Sequence, residues 1–326
     1  MKNKSPILIV LGEPYSVFSE LIFKIFKSKF ILTYKRPIIL IGSEKLLQNQ
    51  MVKLGFKFNI NKISQNSLIN ISSSSKSINI INVNFDYDKP FDIITKKSNE
   101  YIENCFNLAL HLIKKNKKIS LINGPISKKH FLKGKFQGIT EYLAKKTKIK
   151  KNDVVMLIYN KNLSVSPVTT HLPLKLVHKK LTKLKIINHI KLINKFYKEN
   201  FKKVPKIAVT GLNPHCESNY KSSEEDKIII PSIKYFINKK FKVSGPFPAD
   251  TIFMKNNIKN YDVVLGMYHD QVLTPAKTLF EFDAINVTLG LPFIRISPDH
   301  GPNETMVGKN ISNPSSLLKA LEFLSK

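Results

Sequence analysis

A chain of 326 residues exceeds the usual size of one compact core, so we expect two closely joined lobes with a cleft between them. The formal net charge of +30 raises the question of nucleic-acid binding. However, only Arg36 and Arg295 among the 53 basic residues are arginine, which base readout and phosphate clamping favour. The lysines are spread along the chain without a basic block, which argues against a nucleic-acid surface. The remaining interpretation of the charge is a positive electrostatic field that attracts anionic substrates.

The apolar residues and the cysteines bear on location. Apolar residues make up 42% of the chain, but none of their runs approaches the ~20 residues of a membrane-spanning helix. Residues 7–11 are interpreted as a first strand, because no small-residue cleavage site follows them. Cys105 and Cys216 show no paired spacing, which favours a reducing compartment. The sequence therefore predicts a cytoplasmic protein without a membrane segment.

Strand-like runs alternate with helical periodicities along the chain, the pattern of a layered α/β fold. The first half predicts strands at 7–11, 38–42, 78–85 and 119–123, and helices over 17–26, 44–54 and 98–113. In the last of these helices Ser98 is the predicted N-cap, and Cys105 is expected on a buried apolar stripe. The second half predicts strands at 154–158, 163–168, 206–210, 262–267 and 284–288.

Several of these predicted strands end in polar segments that contain glycine or proline. They are Gly124-Pro125, Gly211–His215, Tyr268–Gln271 and Gly290–Pro292. In open α/β sheets ligands bind beyond the carboxyl ends of the strands, so these segments are where we expect a site. The chain has no Gly-x-Gly-x-x-Gly segment, which argues against an ordinary Rossmann dinucleotide site.

The eight histidines fall into two groups. Four lie in Lys-rich helical stretches and are interpreted as helix-face or solvated residues: His111, His130, His178 and His189. The other four follow apolar or strand-like segments and stand among Thr, Asn, Asp, Pro and Gly: His171, His215, His269 and His300. Neutral imidazoles with neighbouring acceptors suit a divalent metal. Their spacing matches no compact metal motif, so residue chemistry alone leaves a metal site and a structural role equally open.

Eight segments, taken together and in order, resemble the 4-hydroxythreonine-4-phosphate dehydrogenases of vitamin B6 biosynthesis. They are Asn123–Lys128, Thr140–Ala144, Val168–Leu174, Gly211–His215, Gly245–Phe253, Tyr268–Gln271, Asn286–Arg295 and Asp299–Gly301. One such segment would be a weak indication, whereas the ordered set is highly specific. The resemblance implies a two-lobed α/β/α fold like that of isocitrate and isopropylmalate dehydrogenases, not a Rossmann fold. It places the first lobe in 1–135 plus 286–326, the second lobe with dimer contacts in 136–285, and the active site in the cleft.

The resemblance also implies roles for individual residues. One divalent cation per subunit, such as zinc, cobalt, manganese or magnesium, would be bound by His171, His215 and His269. Substrate contacts would come from Thr140, Lys277, Asn286 and Arg295, and the NAD or NADP site would be shaped by Asp299 and His300. Catalytic roles are expected for Asp250, Asp270 and Lys277. For Asp250 a helix N-cap is an equal alternative, and for Arg295 the alternative is a partly buried ion pair.

The implied reaction is NAD(P)-dependent, metal-assisted oxidation of 4-phosphohydroxy-L-threonine at C3, followed by decarboxylation to 3-amino-2-oxopropyl phosphate. The family carries it out as a homodimer with the active site at the subunit interface. The product is a precursor of pyridoxal 5'-phosphate. On this interpretation the partners are a small phosphorylated hydroxy acid and a second copy of the chain.

The chain departs from the family at two places. Gly12-Glu13-Pro14 runs on as Tyr15–Phe18 where the family has a glycine-rich segment, and Ile139 stands where the family has a histidine. An isoleucine cannot donate a hydrogen bond to the substrate. A related dehydrogenase of threonate or erythronate 4-phosphate is therefore the alternative. A Lys-rich nucleic-acid-binding protein on a retired enzyme scaffold is a more distant one.

Overall fold

The computed structural model describes residues 5–68, 77–132, 134–136, 138–150, 153–216, 222–281, 283–298 and 300–325. The chain forms two compact units, which we call unit 1 (Met1–Tyr142 with Pro292–Lys326) and unit 2 (Leu143–Leu291). The sequence analysis divided the lobes at 135 and 285 instead. The predicted α/β class is confirmed. Among the described residues, no helix combines the length and apolar character needed to cross a membrane.

Unit 1 is built on a parallel sheet with the strand order β3-β4-β2-β1-β5-β12. Its strands are β1 (Ile7–Val10), β2 (Ile38–Gly42), β3 (Asn59–Lys62), β4 (Ser77–Asn82), β5 (Ser120–Asn123) and β12 (Arg295–Pro298). Its helices are α1 (Phe18–Lys27), α2 (Lys29–Thr33), α3 (Glu44–Lys53), α4 (Ser98–Lys115) and α12 (Ser315–Leu324). Helix α5 (Ile139–Lys146) runs across the division at Tyr142.

The core of unit 1 follows from its continuous apolar runs. Every residue of β1 and β2 is buried, as expected for parallel strands that are covered on both faces. The predicted apolar stripe of α4 is confirmed, since Cys105 and its apolar neighbours are buried, and burial raises the pKa of the Cys105 thiol to about 12. The Ser98 prediction was wrong, because Lys97 occupies the N-cap and the Ser98 hydroxyl bonds to Glu13 Oε2 at 3.1 Å.

Unit 2 contains a mixed sheet with the order β11-β6-β7-β10-β8-β9. Its strands are β6 (Val155–Tyr159), β7 (Ser164–Thr169), β8 (Lys206–Thr210), β9 (Lys242–Phe247), β10 (Val263–Tyr268) and β11 (Ile285–Leu289). Its helices are α6 (Val177–Lys180), α7 (Lys183–Phe201), α8 (Ile230–Lys234), α9 (Ala249–Ile252), α10 (Lys255–Ile258) and α11 (His269–Phe280). Strand β6 is antiparallel to both of its neighbours, β11 and β7, whereas β7, β10, β8 and β9 are parallel to one another.

Helix α11 packs directly on the parallel part of this sheet. Val272 on the helix joins Val165 of β7 and Val264 of β10 in one buried cluster, and burial of each such side chain stabilises the fold by ~1.5–3 kcal/mol. A side chain at Gly266 would place its Cβ 2.4 Å from Val272 Cγ1, so only glycine allows this close approach. The packing fixes the first turn of α11, which begins at His269, against the sheet edge.

The three central parallel strands of unit 2 end side by side. Tyr268 at the end of β10 pairs with Thr169 at the end of β7, and β8 pairs with the other side of β10 up to Val209 and Leu265. Because carboxyl ends of parallel strands lie at one sheet edge, the segments after β7, β8 and β10 start from the same edge.

Candidate active site

The predicted metal ligands follow these three strand ends. His269 comes directly after β10, His171 comes two residues after β7, and His215 comes five residues after β8. The ring centres of His171 and His269 are 5.6 Å apart. Two imidazoles that share an ion at ~2.0–2.1 Å from each nitrogen have ring centres about 5–6 Å apart, so the donor chemistry and separation of this pair fit a cation.

His215 does not complete that pair within one chain. In the part of the chain that the structure describes, no three His, Cys, Asp or Glu side chains come close enough to hold an ion. His215 is exposed, and its backbone has φ +58° in the left-handed region. The structure thus brings together two of the three predicted ligands, and the three-histidine site stays a prediction.

Asp270 orients one of the paired histidines. Its Oδ1 lies 2.6 Å from Nδ1 of His269, while the side chain itself is largely exposed. In a neutral imidazole the nitrogen facing a carboxylate carries the proton, which leaves the lone pair on Nε2 for a ligand. This geometry agrees with a role in which Asp270 orients His269 and is not itself a metal ligand.

Gln271 and Thr169 connect the strand ends through buried hydrogen bonds. The buried Gln271 accepts hydrogen bonds from the Met267 N–H at 2.7 Å and the Thr210 hydroxyl at 2.9 Å, and donates to the Gly211 carbonyl at 2.8 Å. The Thr169 hydroxyl donates to the Met267 carbonyl at 2.7 Å. The segments that carry His171, His215 and His269 therefore share one buried network. Threonine as the last strand residue before two histidine segments was the available signal.

Two predicted substrate contacts lie in unit 2. Lys277 is exposed on α11, eight residues after His269. Asn286 is half-buried on β11, and its buried Oδ1 has no hydrogen-bond partner among the described residues. A buried carbonyl oxygen in that state costs ~1–3 kcal/mol, which a donor group of a ligand would recover.

Asp250 is exposed in the first turn of α9. The N-cap of α9 is Pro248, without a side-chain capping bond, so the N-cap alternative for Asp250 was wrong. An exposed carboxylate at this position keeps its hydration and is accessible to a ligand.

Arg295 and Thr140 lie in unit 1. Arg295 is fully buried at the start of β12, where its Nε donates to Asn123 Oδ1 at 2.8 Å. Burial lowers the pKa of Arg295 to about 9, although the Glu141 carboxylate acts in the opposite direction. Thr140 and the unusual Ile139 are half-buried at the start of α5. Arg295 therefore orients the Asn123-Gly124-Pro125 segment directly.

Of the two predicted cofactor residues, Asp299 lies outside the described residues, whereas His300 is half-buried. The His300 ring centre is 6.4 Å from that of Phe18, and the Val17 N–H donates to the Pro302 carbonyl at 3.1 Å. The His300 segment thus contacts the stretch after β1 in which the chain departs from the family pattern.

Glu13 and His189 are among the buried ionisable groups that the sequence did not predict. Glu13, between Gly12 and Pro14, is 1% exposed, and burial raises its pKa to about 7 despite the hydrogen bond from Ser98. His189 lies on the inner face of α7, where burial lowers its pKa to about 4 and Nδ1 lies 2.9 Å from the Lys185 carbonyl oxygen. His189 is therefore a buried helix-face histidine rather than a solvated one.

Known proteins resemble the chain over nearly its whole length. A family model described as pyridoxal phosphate biosynthetic protein PdxA matches residues 33–324. The 4-hydroxythreonine-4-phosphate dehydrogenase of Sulfurihydrogenibium sp. (strain YO3AOP1) is 37% identical over 321 residues, 97% of this chain and 96% of that protein. A protein of Oceanobacillus iheyensis that bears the name of a D-threonate 4-phosphate dehydrogenase is 30% identical over 328 residues, covering 98% and 97%.

A solved structure agrees with these relatives. The crystal structure of 4-hydroxythreonine-4-phosphate dehydrogenase from Klebsiella pneumoniae has a TM-score of 0.84 to this chain at 27% identity, covering 99% of this chain and 100% of that one. The sequence resemblance and the similarity of fold therefore extend over the same residues. The chain belongs to the PdxA family of pyridoxal phosphate biosynthetic proteins.

Proposed function

We propose that the chain is an NAD(P)-dependent 4-hydroxythreonine-4-phosphate dehydrogenase. It would oxidise 4-phosphohydroxy-L-threonine at C3 and release carbon dioxide to give 3-amino-2-oxopropyl phosphate for pyridoxal 5'-phosphate synthesis. The observation that carries the proposal is the family match over residues 33–324, which includes all three histidine segments at neighbouring strand ends.

We assign the metal site to His171, His215 and His269. The 5.6 Å separation of two of the rings supports this assignment, as does the carboxylate that fixes one ring nitrogen. A bound zinc, cobalt, manganese or magnesium ion would supply Lewis-acid polarisation of the substrate oxygen at C3 and would stabilise the negative charge that develops next to it. Among these four ions imidazole suits zinc, whereas magnesium and manganese favour oxygen ligands.

The remaining groups bind substrate and move protons. During oxidation C3 loses a hydride to the nicotinamide, and its hydroxyl loses a proton. The exposed Asp250 carboxylate is assigned as the acceptor of that proton. Loss of carbon dioxide leaves an electron pair at C2 that must be protonated, a step that we assign to the exposed Lys277 ammonium. Each turnover thus reduces one NAD(P) and releases one carbon dioxide.

We assign binding of the anionic substrate groups to Lys277, Arg295 and Thr140, and binding of the cofactor to Asp299 and His300. The buried Asn286 Oδ1 would accept a hydrogen bond from the substrate amino group. A cationic donor strengthens such a bond relative to a neutral hydroxyl. Asn286 is therefore the residue expected to distinguish the amino acid from its hydroxy-acid analogues.

A threonate or erythronate 4-phosphate dehydrogenase is the second candidate. It is favoured by Ile139 in place of the family histidine and by the similarity to the Oceanobacillus protein. Steady-state turnover on 4-phosphohydroxy-L-threonine, threonate 4-phosphate and erythronate 4-phosphate, each with NAD and NADP, tests both. We expect the highest kcat/KM for 4-phosphohydroxy-L-threonine. Turnover of only the non-amino acids would move the function to the second candidate.

We further propose a cytoplasmic homodimer that forms through unit 2 and completes the site. Several large apolar side chains of unit 2 are exposed: Leu174, Leu184, Ile237, Met254 and Leu279. Two ligands brought together in one chain also suit a site that a second copy completes. Cys105 and Cys216 are not joined in a disulfide, which agrees with a reducing compartment. Sedimentation should give twice the chain mass of 37.3 kDa, and a sedimenting monomer would contradict the dimer.

A further inference from the structure

The loop from Gly211 to Cys216 carries the third predicted ligand in an unusual backbone conformation. His215 has φ +58° and Cys216 has φ +60°, so two consecutive residues with a Cβ occupy the left-handed region. Residues other than glycine rarely adopt this conformation, and asparagine and aspartate are its usual exceptions. The direction of the His215 side chain therefore depends on contacts that hold the loop from outside.

Glu225 supplies such contacts. It is 1% exposed, and its Oε1 accepts hydrogen bonds from the backbone N–H groups of Leu212 at 2.7 Å and Asn213 at 2.9 Å. Its Oε2 accepts a third hydrogen bond from Asn213 Nδ2 at 2.8 Å. Hydrogen bonds to a carboxylate are shorter and stronger than those between neutral groups. One buried side chain thus holds two successive residues that lie directly before Pro214 and His215.

The loop is also held from its other side. The Gly211 carbonyl accepts a hydrogen bond from Gln271, which lies two residues after His269. A Cβ on Gly211 would lie 2.7 Å from Cys216 Sγ and 3.1 Å from Glu225 Oε1, so the loop folds tightly over its own first residue. Glu225 and Gln271 therefore bracket the loop, and Gln271 connects it to the segment of His269.

We propose that Glu225 is a positioning residue, which fixes the Gly211–Cys216 loop so that the His215 imidazole is presented to the metal. The inference rests on the proposed function, because it needs His215 to be a ligand. Glu225 itself contacts neither metal nor substrate in this role. It acts through the backbone of Leu212 and Asn213, in the way that outer groups orient metal ligands in other sites.

The variant Glu225→Gln tests the proposal, because the amide keeps the shape but presents one oxygen and one NH₂ group to three donors. Glu224→Gln is the matched control. Glu224 is half-buried and accepts one such hydrogen bond, from Asn213 Nδ2 to its Oε2 at 3.0 Å. Co²⁺ is titrated into metal-free wild type, both variants and His215→Ala, and its visible absorption reports affinity and ligand geometry.

We expect wild type to bind one Co²⁺ per subunit and His215→Ala to lose most of that affinity. Glu225→Gln should raise the Kd for Co²⁺ by about 10- to 100-fold and change the absorption spectrum, with Glu224→Gln within about threefold of wild type. A wild-type Kd and spectrum in Glu225→Gln would overturn the inference alone. Wild type that binds no Co²⁺, or binding unaffected by His215→Ala, would overturn the proposed metal site and the inference with it.

A second variant covers the case in which Glu225→Gln does not fold. Asn213→Asp leaves Glu225 in place and puts a second carboxylate against its Oε2, which should push the same loop away through charge repulsion. Because Asn213 is only half-buried, this substitution should lower the free energy of unfolding less than a substitution of the buried Glu225. The Kd for Co²⁺ should again rise about tenfold or more. An unchanged Kd in folded Asn213→Asp would overturn the inference.

Discussion

Polar segments follow the central strands of both units, but Glu13 and Arg295 of unit 1 are buried, whereas the predicted histidine ligands of unit 2 lie at or near the surface. Glu13 and Arg295 in unit 1 are 1% and 0% exposed, whereas His171 and His215 in unit 2 lie at the surface. Burial moves the pKa of Glu13 up to about 7 and that of Arg295 down to about 9, in both cases toward the neutral form. Groups of this kind are held in place by the interior and can orient backbone and amide partners.

In unit 2 the side chains buried directly behind the predicted ligands are the uncharged Gln271 and Thr169. Gln271 and Thr169 fill the interior with satisfied hydrogen bonds, while the imidazoles beyond them remain accessible. The buried hydrogen bonds of Gln271 and Thr169 hold the backbone in place, while the histidine side chains stay solvated and available to bind a cation. If the proposed metal site is correct, the metal ligands all come from unit 2, and the buried Glu13 and Arg295 of unit 1 order the backbone around them in that unit.

The largest expected effect is that of His171→Ala. Removing a metal ligand should lower kcat/KM by at least ~1,000-fold, which corresponds to ~4 kcal/mol of transition-state stabilisation. His178→Ala is the control, because His178 is exposed in the same unit and belongs to the group interpreted as solvated. Steady-state kinetics of both variants decide the point. Similar kcat/KM values in the two would remove His171 from the site.

Arg295→Lys should have the next largest effect, because an ammonium cannot reproduce a planar guanidinium that bonds Asn123 while it holds an anion. We expect KM for the phosphorylated substrate to rise by the equivalent of roughly 1.5–3 kcal/mol. The matched control is Arg36→Lys, which alters the only other arginine. Arg36 binds the carbonyl oxygens of Ser5 and Leu324, so its loss should lower the free energy of unfolding and leave KM unchanged. Equal KM values in the two variants would show that Arg295 is purely structural.

Glu13→Gln should change how stability depends on pH. Because the folded-state pKa of Glu13 is raised to about 7, its neutral form contributes stability that is complete below the unfolded pKa of 4.5 and is lost as pH rises through 7. The loss amounts to roughly 3 kcal/mol at most. Urea unfolding between pH 5 and pH 8.5 should show a smaller decline for Glu13→Gln than for wild type.

His189→Gln is the counterpart of opposite sign in unit 2. The folded-state pKa of His189 is lowered to about 4, so its contribution is present above 6.5 and is lost as pH falls toward 4. This variant should flatten the acid side of the plot of unfolding free energy against pH and leave the alkaline side as in wild type.

For Glu13→Gln the contradicting result lies on the alkaline side. If the unfolding free energies of Glu13→Gln and wild type decline in parallel there, Glu13 is not the group responsible.

Ile139→His should have the smallest effect. If Ile139 only weakens binding of the substrate phosphate, the new hydrogen-bond donor should lower KM for 4-phosphohydroxy-L-threonine a few-fold and leave kcat nearly unchanged. That is the pattern expected when a residue stabilises substrate and transition state equally. Ile139→Gln adds a donor without a ring and serves as the comparison. A KM that rises in Ile139→His would favour the threonate or erythronate 4-phosphate alternative.

The sequence allowed the α/β class and most strands to be predicted, because their apolar runs are continuous and bounded by polar segments. It missed β9, β12 and β3. The residues of β3, Asn59–Lys62, are largely exposed at a sheet edge and show no apolar pattern. The strand ends with histidine were predictable from residue types and from the resemblance. Glu225 was not, because its role depends on a backbone that approaches it only in the folded chain. The burial of His189 in a Lys-rich helix was hidden for the same reason.

The most direct test of the account is whether turnover follows the metal. Formation of NAD(P)H and release of carbon dioxide from 4-phosphohydroxy-L-threonine are measured on wild type as purified, after exhaustive chelation, and after Co²⁺ is added back. The account predicts equal amounts of NAD(P)H and carbon dioxide, loss of both on chelation, and recovery with Co²⁺ in wild type but not in His171→Ala. Full turnover by protein freed of metal would contradict the claim that the histidines of unit 2 form the catalytic metal site.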